Sequence, residues 1–284
     1  MDTVANNENT ILQRARGNAR MRFKMGNSGT TVLDNLYQDG CYKVRFPHPE
    51  NKQVFEAVLI NTAGGLTDGD RISTIADWQA STHAIVTTQA AERIYKSRQD
   101  EATLLTELNV AEGARASWIP QETILFNGGR YRKETNVNLH SEAEFFGVES
   151  LVFGRSAMGE IVTRGSITEK WKIHIDGELV FTDAFHVNDK EHGNIQLHLD
   201  QPAIANGASS IATLIYVNHN CNERLGDFRA TIDNFGVIGG ATCLGPLVVM
   251  RLLSDNSLEL RKTLIQLFTV VNNNTIDIPR VWNC

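Results

Sequence analysis

Two neighbouring stretches, CYKVRF (41–46) and VFEAVLIN (54–61), decide the fold class. In the first, Tyr42, Val44 and Phe46 share one face while Lys43 and Arg45 take the other, the period-two pattern of a strand with one dry side. The second is almost continuously apolar and reads as a buried strand. The same character continues through RISTIADW (71–78), HAIVTTQ (83–89), TLLTELNV (103–110), RASWI (115–119), RKETNVNLH (132–140) and EKWKIHID (169–176), separated by short polar or glycine-bearing turns. IDGELVF (175–181) centres on Asp176-Gly177, a dipeptide suited to the positive φ angles of a tight hairpin. Many short strands with little helix between them predict a mostly β architecture, and no strict repeat period is evident.

The C-terminal third changes character. IATLIYV (211–217) and PLVVMRLL (246–253) read as strands, with the glycine-rich NFGVIGGATCLG (234–245) between them. NERLGDFRATID spaces Leu225, Phe228 and Ile232 at helical intervals. In SLELRKTLIQLFTVV (257–271), Leu260, Leu264, Phe268 and Val271 recur every three or four residues, a stripe that predicts a core-facing helix. Asn256 followed by Glu259 resembles a capping box. The expectation is therefore a β body of many short strands with about two helices packed on it. Residues 1–10, polar and asparagine-rich, are expected to be disordered.

With 284 residues, 42% hydrophobic and 21% charged, the chain has an ordinary globular composition. A net charge of −6 argues against nucleic acid or an anionic membrane as the main partner. No apolar run reaches the roughly 18 residues of a membrane span, and the N-terminus has no signal-like segment. Cys41, Cys221, Cys243 and Cys284 form no C-x-x-C pair, so neither a zinc knuckle nor a disulfide scaffold is indicated. These features together predict a cytoplasmic protein.

The loop NTAGGLTDGDRI (61–72) has the glycines of a phosphate cradle but lacks its chemistry: Gly69 is followed by Asp70 where a Walker lysine belongs. A calcium loop would need more oxygen ligands than Asp68 and Asp70 supply. What remains is a strand–turn–strand link with positive φ at one or more glycines, its two carboxylates either solvating the turn or offering a weak cation site. His186, His192 and His198 stand six apart, but Gly193-Asn194 interrupts any common face, and surface or core histidines are the favoured reading over ligands. ESLVFGRSAMGE (149–160) sets Glu149, Arg155 and Glu160 around two glycines, readable as a turn with a structural ion pair. No nucleophile elbow or local triad is present, and the residues alone predict no catalytic site.

Several segments, in order, resemble one family. LQRARGNARMRF, NTAGGLTDGD, VTTQAAERIYKS, WIPQETILFNGGRYRKE, ESLVFGRSAMGE and IPRVWNC resemble the urease accessory protein UreD (UreH) family, from about residue 13 to the C-terminus. The resemblance implies a β-helical body in a single UreD-like domain over 11–284. It implies no catalysis and no stably bound cofactor. It also implies a complex on apo-urease with the accessory protein UreF and, through UreF, the GTPase UreG, which delivers nickel(II) to urease's dinuclear site. A passage through the family's proteins is thought to carry the ion. Residues matching its motifs are Asp70, Gln89, Glu92, Glu149, Arg155 and Glu160, whereas Asp68 stands where the family form GGLTGGD commonly has glycine. Asp70, Glu149 and Glu160, with Asp68 beside them, are expected to supply acids to a transient nickel route. Gln89, Glu92 and Arg155 are expected in partner contacts or structure. A nickel store, or a hydrolase with carboxylates drawn from distant positions, are the alternatives.

Overall fold

The computed structural model describes residues 13–47, 54–155 and 158–283. The expected disordered tail, residues 1–10, lies outside these, as do Cys284 and the Ser156-Ala157 pair of the 149–160 stretch.

The chain opens with β1 (Arg16–Met25), β2 (Thr31–Gly40), β3 (Tyr42–Arg45) and β4 (Phe55–Asn61). It then winds through β5 (Arg71–Trp78), β6 (His83–Thr88), β7 (Glu92–Ile94), β8 (Ala102–Val110), β9 (Arg115–Ile119), β10 (Thr123–Leu125), β11 (Arg130–Leu139), β12 (Glu144–Phe153) and β13 (Ser166–Ile175). Strands β1, β5, β8, β11 and β13 pair in parallel in one sheet; β4, β6, β9 and β12 do so in a second. The short β7 and β10 also run parallel, beside β12. Each coil thus crosses from one sheet to the other and back, and each turn stacks on the last. The result is a β-solenoid of about four turns, the β-helical body expected of the family.

Stacked positions come from distant sequence. Ile72 pairs with Leu104, Leu104 with Lys133 and Lys133 with Glu169. Backbone partners are therefore supplied one coil away, and side chains alternate between the solenoid interior and its outside. The interior is the main core, filled by Met21, Phe23, Leu59, Trp78, Tyr131, Phe145 and Trp171 among others.

Beyond the coils, β13 turns into β14 (Glu178–Asn188) through Asp176 and Gly177, whose φ angles of 50° and 87° match the expected hairpin. Two short helices follow, α1 (Asp189–His192) and α2 (Ile195–Leu199); their four and five residues are too few for a visible helical period. Next come β15 (Ser210–Val217), a 3-10 turn (Cys221–Arg224), α3 (Leu225–Asn234), β16 (Ile238–Leu244), β17 (Leu247–Ser254) and α4 (Ser257–Val271). The glycine-rich linker thus contains a strand: β16 pairs with β17, and a Cβ on Gly239 would lie 2.5 Å from the Arg251 carbonyl oxygen.

Helices α3 and α4 bury Phe228, Ile232, Leu260, Leu264, Phe268 and Val271 against Phe146, Val148, Leu214 and Met250 on the outer face of the second sheet. That explains the continuous burial of β12 from Phe145 to Phe153, a strand covered on both sides. Asn256 caps α4, its side chain accepting from the N–H groups of Leu258 (3.0 Å) and Glu259 (3.4 Å). The box is only half formed: Glu259 pairs with Lys262 instead, and the Asn256 N–H donates to Ser254 Oγ.

Candidate functional site

Alternation along β11 and β12 dictates what enters the solenoid. Tyr131, Thr135, Val137 and Leu139 point inward, so Lys133 must too; across from it Phe145, Gly147, Leu151 and Phe153 bring Glu149 inward. Both are buried, at 6% and 4% exposure. An isolated charge there would be costly. Lys133 Nζ donates to Glu149 Oε2, while Trp118 Nε1 (3.0 Å) and Thr135 Oγ1 (3.3 Å) donate to Glu149 Oε1. The neighbouring coil adds Glu169, which accepts from Tyr131 OH at 2.7 Å. Burial pulls Lys133 downward, but Glu149 and Glu169 outweigh it and hold the ammonium above its ordinary range.

A second polar group stands at the mouth. Glu92 opens β7 and accepts from Asn61 Nδ2 with both oxygens, at 3.0 and 3.1 Å. A cavity of about 110 Å³ lies among Tyr42, Asn61, Gly64, Gly65, Gln89 and Glu92. A smaller one of about 30 Å³ continues inward past Tyr42 and Glu92 to Trp118, Gln121 and Lys133. Glu92 borders both, and Lys133, which holds Glu149, lines the inner one. The glycines shape its entrance: Gly65 has φ 144°, and a Cβ there would sit 2.4 Å from Tyr95 Cε2 and 2.8 Å from the Arg93 carbonyl oxygen.

Three carboxylates, Glu92, Glu149 and Glu169, thus share one buried cation. Desolvation raises Glu92 and Glu169 above the usual carboxylate range, against the opposing pull of Lys133. The folded protein then holds these protons to higher pH than the unfolded chain does, so stability falls as pH rises through that window. Above about pH 4.3, the ordinary glutamate value, Glu92→Gln is expected to flatten this fall, measured as the urea midpoint against pH. An unchanged slope would place Glu92 in bulk-like solvent.

The other acids lie elsewhere. Asp68 and Asp70 are both 4% exposed and do not share a cation-facing side. Asp70 accepts from the N–H groups of Ala15 (2.7 Å) and Thr67 (2.8 Å), closing the turn around Gly69 at φ 75°. Asp68 accepts from the N–H groups of Gln99 and Asp100 and faces Arg14 at 3.5 Å. Burial opposes ionisation of Asp68, but these donors prevail and lower its pKa. Glu160 meets Arg155 at 2.9 Å at the surface, and Arg155 lies 4.6 Å above the Phe126 ring. The structure therefore places Gln89 and Glu92 on the cavity lining and Glu149 behind Lys133, with Asp68, Asp70, Glu160 and Arg155 elsewhere.

Lys133, Glu169, Trp118 and Gln121 were not distinguished by sequence. Lys133 had one available signal: the two-residue period places it on the buried face, where a lysine needs a partner. Gln121 joins the inner cavity to the C-terminus. Its Nε2 donates to the carbonyls of Gln89 (2.8 Å) and Val281 (2.9 Å), and its Oε1 accepts from Arg261 (3.1 Å).

The three histidines do meet, through the α1–α2 bend rather than an extended strand. His192 stacks on His198 with ring centroids 4.1 Å apart, and His186 bonds to Glu191. Among the described residues no group of three or more histidines, cysteines or carboxylates is arranged to hold a metal ion. An open cleft of about 710 Å³ lies at Arg130, Arg164, Asp189 and Lys190, where Arg130 Nη2 donates to both oxygens of Asp189 at 2.6 and 2.7 Å.

A model of the family described as "UreD urease accessory protein" matches residues 15–283. The chain belongs to the UreD family. It is 37% identical over 272 residues to the urease accessory protein UreD of Chelativorans sp. (strain BNC1), covering 96% of this chain and 95% of that one. To the UreD of Rhizobium leguminosarum bv. viciae it is 36% identical over 283 residues, the full length of both. To that of Ruegeria pomeroyi it is 40% identical over 254 residues, 89% of this chain and 95% of the relative. Membership of the UreD family gives the chain a role in urease maturation. No helix among the described residues is long and apolar enough to cross a membrane.

Proposed function

We propose that this chain is a non-catalytic, cytoplasmic urease maturation factor that assembles on apo-urease with UreF and, through UreF, the GTPase UreG, and that its interior passes nickel(II) toward the dinuclear site. The observation that supports this reading is the pair of cavities that share Glu92, one at the Gly64–Gly65 mouth and one reaching Lys133, whose partners Glu149 and Glu169 lie just behind it. Nickel(II) stands high in the affinity order for nitrogen and sulfur ligands, so a cage of histidine and cysteine would retain it. Carboxylates offer a weaker oxygen site, one that releases the ion to a stronger ligand set. Glu149 lies on this route. Asp70 and Asp68 act by fixing the loop that forms the mouth, and Glu160 with Arg155 steadies a surface loop.

Cavities of about 110 and 30 Å³ fall well short of the roughly 300 Å³ at which small-molecule pockets begin. At this site, that size favours an ion over a hydrolase substrate. Weak oxygen ligation argues for a conduit over a store. The test is assembly: expressed with apo-urease and the partner proteins, the chain co-purifies with them, and its deletion leaves urease synthesised but nickel-poor. Urease that matures normally without it would overturn the proposal.

A further inference from the structure

Two of the four cysteines come into contact although they are 22 residues apart. Cys221 begins the 3-10 turn after β15, and Cys243 lies near the end of β16, just before the hairpin turn at Gly245. Their sulfurs are 3.6 Å apart, and both face the Gly245 carbonyl oxygen, at 3.8 Å from Cys221 and 3.4 Å from Cys243. Cys221 is buried and Cys243 is partly exposed. They belong to the layer between the second sheet and the helices, apart from the solenoid interior that holds Glu92 and Glu149.

We propose that Cys221 and Cys243 form an oxidative modification site, a dithiol that closes to an intramolecular disulfide under a hydroperoxide. The geometry assigns the order. Burial pushes the Cys221 thiol up to about 11, so the partly exposed Cys243 meets the oxidant first. Its sulfur attacks the peroxide, an S–O bond forms as the O–O bond breaks, and one water leaves with the thiol proton. Cys221 sulfur then attacks the sulfenic sulfur; the S–S bond forms, the S–O bond breaks, and the second water carries off the Cys221 proton. Two thiols are oxidised by two electrons and hydrogen peroxide is reduced to two waters. The contact pre-pays the encounter that a disulfide needs, and among the described residues no third ligand joins the pair to make it a metal cage. Closure ties the turn that leads into α3 to the β16–β17 hairpin.

The test uses the full chain treated with hydrogen peroxide, alkylated, digested without reductant and read by mass spectrometry. Expected is a peptide pair linked through Cys221 and Cys243, about 2 Da lighter than the two free peptides, reversed by dithiothreitol. The link is expected to be absent in C243S and C221S, while Cys41 remains alkylatable. Because C243S alters a partly exposed position off the nickel path, urease maturation with it is expected to match the parent. Sulfinic acid at Cys243 with Cys221 still free would overturn the proposal, as would Cys243 coupled to a different thiol.

Discussion

Lys133→Met is expected to destabilise the protein by about 3–5 kcal/mol, the range for breaking a buried ion pair by removing one partner. Lys133 and Glu149 are buried side by side, with Glu169 on the adjacent coil and Glu92 at the mouth. Without the ammonium, Glu149 has only Trp118 and Thr135 as donors, and three acids face one another across a dry interior. The chain must take up protons or admit water. Removing both partners behaves differently, because an apolar pair of similar volume is often neutral or stabilising. Lys133→Met combined with Glu149→Met is therefore expected to regain most of the loss. Urea denaturation of the two variants measures both effects. A Lys133→Met protein as stable as the parent would show that the interior is already wet.

Trp282→Ala is expected to cost about 3–5 kcal/mol, as large-to-small changes of buried aromatic residues do. Two residues from the end of the chain, the ring is nevertheless 2% exposed. Its Nε1 donates to Thr87 Oγ1 at 3.0 Å and to the Ile119 carbonyl at 3.2 Å, deep in the second sheet. The Arg261 guanidinium lies 4.9 Å above the ring and donates to the Trp282 carbonyl at 2.7 Å. Removing the ring opens a cavity, strands the Arg261 stack and loosens the Val281 carbonyl held by Gln121. Trp282→Phe keeps the stacking surface and loses the N–H donor, so it is expected to cost about 1–2 kcal/mol. Thermal or urea unfolding separates the two; equal losses would mean that the hydrogen bonds, not the packing, anchor the C-terminus.

Period-two alternation made most strands legible, and the stripe of Leu260, Leu264, Phe268 and Val271 made α4 legible. The coiling was not. Stacked partners such as Ile72, Leu104, Lys133 and Glu169 lie about thirty residues apart and run from aliphatic to charged, because a solenoid repeats its backbone and lets each coil fill the interior differently. β16 was hidden by glycines that make room for the Arg251 carbonyl, and α1 and α2 by their brevity. At the site, Glu92 was visible only inside a family motif; Glu149 also stood out in a stretch readable as a turn, but it lies in the middle of β12. Lys133 reads as an exposed charge until its strand's inner face is counted. Asp68 and Asp70 were conspicuous because they sit among glycines, yet their oxygens are taken up by backbone N–H groups. That is the turn-forming role the residues themselves favoured.

The central claim is that nickel(II) passes the carboxylates of the solenoid interior. Its most direct test is the nickel content of urease matured at limiting nickel by the assembled complex carrying Glu92→Gln and Glu149→Gln together. Both substitutions keep side-chain shape while removing carboxylate oxygens; because Glu149→Gln also leaves Lys133 without its partner, assembly of the complex is verified before nickel is counted. Each lost carboxylate is expected to weaken cation occupancy on the order of tenfold, equivalent to about 1.4 kcal/mol. The account predicts a complex that still forms and a urease left nickel-poor and correspondingly inactive. Urease with its full nickel complement, from an intact complex bearing both substitutions, would contradict it.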